Sequence, residues 1–194
     1  MEFIKKNIPD IVLIKPTVHE DHRGYFVETY RKKDLKNAIG HDVNFIQDNE
    51  TRSKKGVMRG LHFQTPPFAQ SKLVRVIKGE ILDISVDIRF GSPTFGHHVS
   101  EYLSGENKCQ LFIPRGFAHG FVVLSDEALV SYKVDNYYSS KCEAGLAFND
   151  TSLDIDWGLP LDQLELSKKD ISLPCLEKLK DKCLEFSYNK NLYD

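Results

Sequence analysis

Two stretches between positions 47 and 64 crowd polar groups into apolar surroundings: Gln47-Asp48-Asn49, then Gly56-Val57-Met58-Arg59-Gly60-Leu61-His62-Phe63-Gln64. Burying a guanidinium, an imidazole and an amide together is costly unless each is paired or faces a pocket. A lone His62 would read as a hydrogen-bonded core histidine. With Arg59, Gln47 and Asn49 close by in the chain, a pocket is the stronger reading. Strict strand alternation puts Arg59 and His62 on opposite faces, so a bulge at Gly60 is expected to re-aim one of them.

A second cluster runs Ile113-Pro114-Arg115-Gly116-Phe117-Ala118-His119-Gly120-Phe121. Its Pro-x-Gly-x-x-His spacing resembles the second metal motif of cupins, the double-stranded β-barrel proteins. The first cupin motif needs two histidines separated by one residue plus a downstream Glu, and Gln64 stands where the second histidine belongs after His62. His97-His98 cannot replace that pair, because successive strand residues point to opposite faces. A catalytic metal wants three protein ligands, so the expectation is a cupin-like barrel with no metal site. A third set is dispersed: Lys72 opens a strand, Tyr132 lies within one, and Leu166-Ser167-Lys168-Lys169-Asp170 comes near the end. Taken singly these would be packing or solvated surface.

The elements that must position these groups are short strands. Alternating or continuous apolar runs predict strands over Val12–Ile14, Tyr25–Tyr30, Asn44–Asp48, Gly60–Gln64, Leu73–Ile77 and Ile81–Ile88. Others are predicted over His98–Leu103, Gln110–Ile113, Gly120–Leu124, Ala128–Val134 and Gly145–Phe148. Turn signals such as Phe90-Gly91-Ser92-Pro93 and Pro114-Arg115-Gly116 separate them. Only Lys32–Ile39 and Pro174–Phe186 read as helices, the second with Leu176, Leu179 and Cys183 at helical spacing. The fold class is therefore mostly β, a cupin-like double-stranded β-barrel (jelly roll) with short C-terminal helices. Residues 1–194 are read as a single domain whose segment from about 175 wraps the barrel.

The 194 residues carry a formal net charge of −2, without the basic bias of a nucleic-acid-coating protein. No apolar run approaches the ~20 residues of a membrane helix. The N-terminus has no signal core. Cys109, Cys142, Cys175 and Cys183 have neither zinc nor disulfide-framework spacing, which suits free thiols in a reducing cytoplasm.

Taken together, the motifs resemble the dTDP-4-dehydrorhamnose 3,5-epimerase family (dTDP-4-keto-6-deoxyglucose 3,5-epimerases) from about residue 3 to 175. The resemblance rests on Asp21-His22-Arg23-Gly24-Tyr25-Phe26-Val27-Glu28, Gln47-Asp48-Asn49 and Gly56 through Gln64. It continues with Lys72-Leu73-Val74-Arg75-Val76, Pro114 through Phe121, and Leu166 through Asp170. The family's usual Trp-Asn-Asp-Pro is replaced by Phe148-Asn149-Asp150-Thr151, which touches a turn and no assigned group.

The resemblance implies His62 as general base, Asp170 as the carboxylate orienting it, Tyr132 as general acid and Lys72 as a cation beside the sugar ketone. It implies that Arg23, Phe26, Glu28, Gln47, Asp48, Asn49, Arg59, His119, Glu143 and Lys169 hold the nucleotide-sugar, with Tyr138 stacking on thymine. It also implies a dTDP-linked 4-keto-6-deoxy sugar as substrate, no cofactor, no nucleic-acid or membrane partner, and a cytoplasmic homodimer with strands shared across its interface. The pathway would be dTDP-L-rhamnose biosynthesis for cell-surface polysaccharide. The residue types suit that chemistry. Histidine titrates near neutrality, tyrosine stays protonated there, and an ammonium stabilises an enolate. Epimerisation at C3 or C5 alone, action on a related nucleotide-keto-sugar, a keto-isomerase, a non-catalytic sugar-binding cupin and a metal-dependent oxygenase are the competing readings.

Overall fold

The computed structural model describes residues 1–179 and 183–193. In chain order the strands are β1 (Glu2–Lys5), β2 (Val12–Lys15), β3 (Val18–Asp21), β4 (Gly24–Val27), β5 (Gln47–Lys54), β6 (Met58–Gln64) and β7 (Lys72–Lys78). They continue as β8 (Glu80–Asp87), β9 (His98–Ser104), β10 (Gln110–Ile113), β11 (Phe117–Val123), β12 (Glu127–Val134) and β13 (Glu143–Gly145). Helices α1 (Lys32–Ile39) and α2 (Lys168–Ile171) complete the regular elements that matter for the site.

Two antiparallel sheets carry the fold. One has six strands in the order β1-β2-β10-β7-β12-β5, the other five in the order β13-β6-β11-β8-β9. The mostly-β architecture expected from the short apolar runs is what forms. Between the sheets lies a core that includes Val74, Val76, Ile81, Leu111, Phe121 and Val130. On these strands one parity faces inward. Thus Lys72, Asp83, His119 and Tyr132 enter the same interior as that core, at its polar end.

The outer face of the five-stranded sheet is covered by the chain after β13. Leu82, Ile84, Val86 and Val122 pack there against Leu153, Trp157, Leu176, Leu179 and Phe186. Burying side chains of this class contributes roughly 1.5–3 kcal/mol each, enough to hold an otherwise irregular segment down. Helix α1 plays the same part on the other sheet, where Leu35 packs with Val12, Ile14, Leu73 and Phe112.

Several expectations need correcting. The helix expected over Pro174–Phe186 begins instead with a 3-10 turn, Leu176–Leu179, and a second 3-10 turn spans Leu184–Phe186. Residues 180–182 of that expectation lie outside the described residues. Apolar residues pulled onto a curved sheet decide the path here, and helical spacing alone did not. The strand expected over Asn44–Asp48 is instead Gln47–Lys54, an edge strand whose polar composition hides it from an apolar-run reading. Strand β11 starts at Phe117 rather than Gly120, and β13 is centred before Gly145 rather than after it. Strands β1 and β3 carry no apolar run long enough to predict them: both are short, and β3 is polar.

Candidate active site

The geometry of β6 decides the site. Its register with β11 pairs Arg59 with Phe121 and His62 with His119, so two β6 residues, Gly60 and Leu61, oppose the single Gly120. This is the bulge that the Arg59/His62 parity conflict requires. Before it, Met58 faces the outer core; after it, Leu61 and Phe63 do, which leaves both Arg59 and His62 facing inward. Glycine is needed at the crossing: Gly60 has φ +124°, and a Cβ there would lie 2.5 Å from Gly120 Cα.

His62 Nε2 is 2.6 Å from Asp170 Oδ1. Asp170 is buried on the single turn of α2, where the Ser167 hydroxyl caps the helix by accepting the Asp170 N–H at 3.1 Å. With Asp170 accepting from Nε2–H, the His62 Nδ1 lone pair is free, and among the described residues no hydrogen bond occupies it. Burial holds the His62 pKa below its ordinary value; Asp170 opposes this and the Lys72 charge reinforces it. His62 is thus neutral, and basic, at neutral pH.

Lys72 begins β7 and is half-buried, its ammonium turned into the interior. Its Nζ lies 3.4 Å from the His62 carbonyl oxygen and 3.4 Å from His119 Nδ1. Burial lowers its pKa to about 8, with Asp83 and Glu143 opposing the shift. His119 Nε2 lies 2.8 Å from Asp83 Oδ2, so His119 donates to a fully buried carboxylate and accepts from Lys72. Burial, and secondarily the Lys72 charge, hold His119 neutral. Tyr132, on β12, has its pKa raised by burial, with only Arg59 opposing, so its hydroxyl keeps its proton.

These groups line connected space. A cavity of about 220 Å³ is bounded by His62, Lys72, His119, Tyr132, Arg59 and Asp170, among others. A second, about 400 Å³, shares His62, Lys72 and Tyr132 and adds Gln47, Asn49, Tyr138 and Glu143. A third, about 600 Å³, shares Arg59, Ser167 and Asp170 and follows β5 past Arg52 and Ser53. At the mouth, Glu143 accepts from the Tyr138 hydroxyl at 2.8 Å and pairs with Lys169. Arg59 donates Nε to Ser53 Oγ at 3.0 Å, and Gln47 donates to Asn49 Oδ1 at 2.8 Å.

Four expected site residues are not brought to this cavity by their own chain. Arg23 is held by Asp21, Phe26 is 69% exposed, and Glu28 pairs with Arg31; all lie on or just after the β3–β4 hairpin. That hairpin forms a separate two-stranded sheet. Asp48 points to the outer side of β5 and binds Lys133 Nζ at 2.9 Å. Conversely, the sequence pattern did not single out Thr51, Ser53 or Asp83, and it gave Ser167 no role of its own. The first two continue the inward alternation begun at Gln47 and Asn49. Asp83 was signalled by a lone carboxylate within the apolar run Ile81–Ile88.

The residues do not fit the metal centre that a cupin-like barrel can hold. Gln64 donates to the carbonyls of Phe68 and Tyr137 at 2.8 and 3.1 Å and accepts from Ser139 N–H at 2.6 Å, so its amide is fully used. Both His119 ring nitrogens are engaged, one by an ammonium. Among the described residues no group of three His, Cys, Asp or Glu side chains is placed to hold an ion.

Comparison with known proteins gives a consistent family. Residues 5–178 match the family model described as dTDP-4-dehydrorhamnose 3,5-epimerase. A curated relative of that name from Shigella flexneri is 51% identical over 172 residues, covering 89% of this chain and 94% of its own. One from Salmonella typhimurium (strain LT2) is 50% identical, covering 92% and 97%. A crystal structure of a dTDP-6-deoxy-D-glucose-3,5-epimerase from Legionella pneumophila Philadelphia 1, in complex with dTDP-4-keto-L-rhamnose, superposes with TM-score 0.92 at 43% identity. It covers 97% of this chain and 99% of its own.

Proposed function

The chain belongs to the dTDP-4-dehydrorhamnose 3,5-epimerase family, and from that premise we propose that it inverts C3 and C5 of dTDP-4-dehydro-6-deoxy-D-glucose to give dTDP-4-dehydro-L-rhamnose. The observation that carries this reading is one cavity bounded by a neutral histidine paired at 2.6 Å to a buried carboxylate, a protonated tyrosine and an inward-facing ammonium. Those are the parts that proton removal and return beside a ketone require.

His62 Nδ1 removes the proton from the carbon beside the C4 ketone, and Asp170 stabilises the imidazolium that forms. The electron pair moves into the carbonyl, and the resulting enolate oxygen carries the negative charge. Lys72, backed by neutral His119, offsets that charge. The Tyr132 hydroxyl then gives a proton to the opposite face of the carbon; solvent later reprotonates the tyrosine and discharges His62. Repeating the cycle on the other side of the ketone completes the second inversion. No electron leaves the substrate, so the balance needs no redox partner.

Arg59 supplies a planar fork for the diphosphate, while Tyr138 offers a ring for the base at the mouth of the cavity. Arg23, Phe26 and Glu28 reach a nucleotide-sugar only if they act on a second copy of the chain. The exposed Phe26 and a hairpin that pairs with neither main sheet therefore support a homodimer in which β3–β4 serves its partner's cavity. Four free cysteines among the described residues suit a cytoplasmic enzyme of dTDP-L-rhamnose and cell-surface polysaccharide synthesis. Among those residues no helix is long and apolar enough to cross a membrane.

The test is incubation with dTDP-4-keto-6-deoxyglucose in D2O, followed by NMR of the ring protons. Inverted product with deuterium at both C3 and C5 is expected. Label at C3 alone would reduce the activity to a 3-epimerase, and recovery of unlabelled substrate would overturn the reading.

A further inference from the structure

Away from the cavity, buried Ser71 and half-buried Arg115, Asp135 and Tyr193 close a ring of hydrogen bonds. Asp135 Oδ1 accepts the backbone N–H of Ser71 at 2.6 Å, and Oδ2 accepts from Arg115 Nε at 3.1 Å. The Arg115 backbone N–H donates to the Tyr193 hydroxyl at 3.3 Å, and that hydroxyl meets Ser71 Oγ at 2.8 Å. Arg115 also donates NH1 to the Leu192 carbonyl at 2.8 Å. The Tyr193 ring is clamped between His41, at 4.1 Å between centroids, and the Arg115 guanidinium, 5.1 Å from the ring centre.

Where the ring attaches matters. Ser71, with no exposed surface, immediately precedes Lys72 at the start of β7. Asp135 immediately follows β12, the strand of Tyr132, and Arg115 lies in the turn entering β11, the strand of His119. One network thus ties together the chain beside the cation, the acid and the second histidine. The base is held differently, by α2 through Asp170. Residues 187–193 lie beyond the segment 5–178 that matches the family model.

We infer that Tyr193 is a positioning residue of the epimerisation: docked between Ser71 and Arg115, the C-terminal segment fixes the spacing of the strands that carry Lys72, Tyr132 and His119. The inference rests on the roles assigned to those three groups. A ring of directional bonds suits this purpose, because displacements near 1 Å at reacting groups can cost about a hundredfold in rate. Burial raises the Tyr193 pKa to about 12, so the bridging hydroxyl stays intact across the working pH range.

The experiment compares the parent, Tyr193→Phe, Ser71→Ala, the double variant and a chain lacking residues 187–194, all on the keto-sugar in D2O. Tyr193→Phe keeps the clamped ring and removes the bridge. The expected result is a kcat lowered about tenfold, a partial form of that misplacement cost. KM should stay within about twofold, with more solvent exchange per inversion because Tyr132 is displaced and His62 is not. The double variant should be no worse than the weaker single one, since both break the same bridge. Parent-like kcat and exchange ratio in Tyr193→Phe and in the shortened chain would overturn the inference. So would additive losses that follow the unfolded fraction in thermal melts, which would make the segment a mere brace. A parent chain that leaves the keto-sugar unchanged would instead remove the site reading itself.

Discussion

Replacing Asp170 by asparagine isolates the electrostatic part of the histidine–carboxylate pair. The side chain keeps its shape and its place behind Ser167, but the negative charge 2.6 Å from His62 Nε2 is gone. During proton abstraction the imidazole gains positive charge beside that carboxylate. Unit charges with centres about 4 Å apart attract by roughly 4 kcal/mol at an effective dielectric near 20. With about half the charge developed at the transition state, the loss is roughly 2 kcal/mol. That falls within the ~1.5–3 kcal/mol of a hydrogen bond to a charged group. At about 1.4 kcal/mol per factor of ten, kcat should fall about 30-fold.

Nucleotide affinity should change little, because Asp170 faces the reacting end. Thermal stability should hold or rise, since a buried charge is removed and a polar partner remains. The pH profile adds a check on sign. His62 must be neutral to act, so kcat/KM is lost as pH falls through its pKa, which burial already places below the ordinary value. Asp170 raises that pKa, so its removal should move the acid limb to still lower pH. A variant with the parent's kcat, or an acid limb that moves upward, would refute the pairing.

The basic limb belongs to Lys72. With its pKa lowered to about 8, kcat/KM should fall as pH rises through that value, and Lys72→Arg should carry the fall to higher pH; an unmoved limb assigns it elsewhere. Tyr132→Phe keeps the ring and loses the only proton the side chain can give. Deuterium should still enter the substrate from D2O while inversion slows at least tenfold, and inversion at the parent rate would make Tyr132 packing. Chelators should leave kcat unchanged, because Gln64 and His119 are committed to other bonds. Stoichiometric metal in active protein, with activity lost on its removal, would contradict that.

What the sequence disclosed follows from how local each constraint is. The bulge at Gly60 was legible because the parity of Arg59 and His62 conflicts with their shared polarity, and only a two-against-one register resolves it. The turn at Pro114–Gly116 and helix α1 were legible because turn residues and helical pattern act over a few positions. Strand β5 was largely hidden. Its inward residues, Gln47, Asn49, Thr51 and Ser53, line the cavities and are polar, so the strand lacks the apolar period that would reveal it. The pairing of His62 with Asp170 is illegible to any local rule, since the two are joined only by the packing of α2 against β6; the family resemblance supplied it. The hairpin residues Arg23, Phe26 and Glu28 mark the opposite limit. Their chemistry suits a nucleotide-sugar, yet none of them lines the cavity of its own chain, so the proposed contact calls for a second protomer. A site built partly from a second copy would leave this trace: polar and aromatic groups matched to a ligand and exposed on a hairpin outside both main sheets.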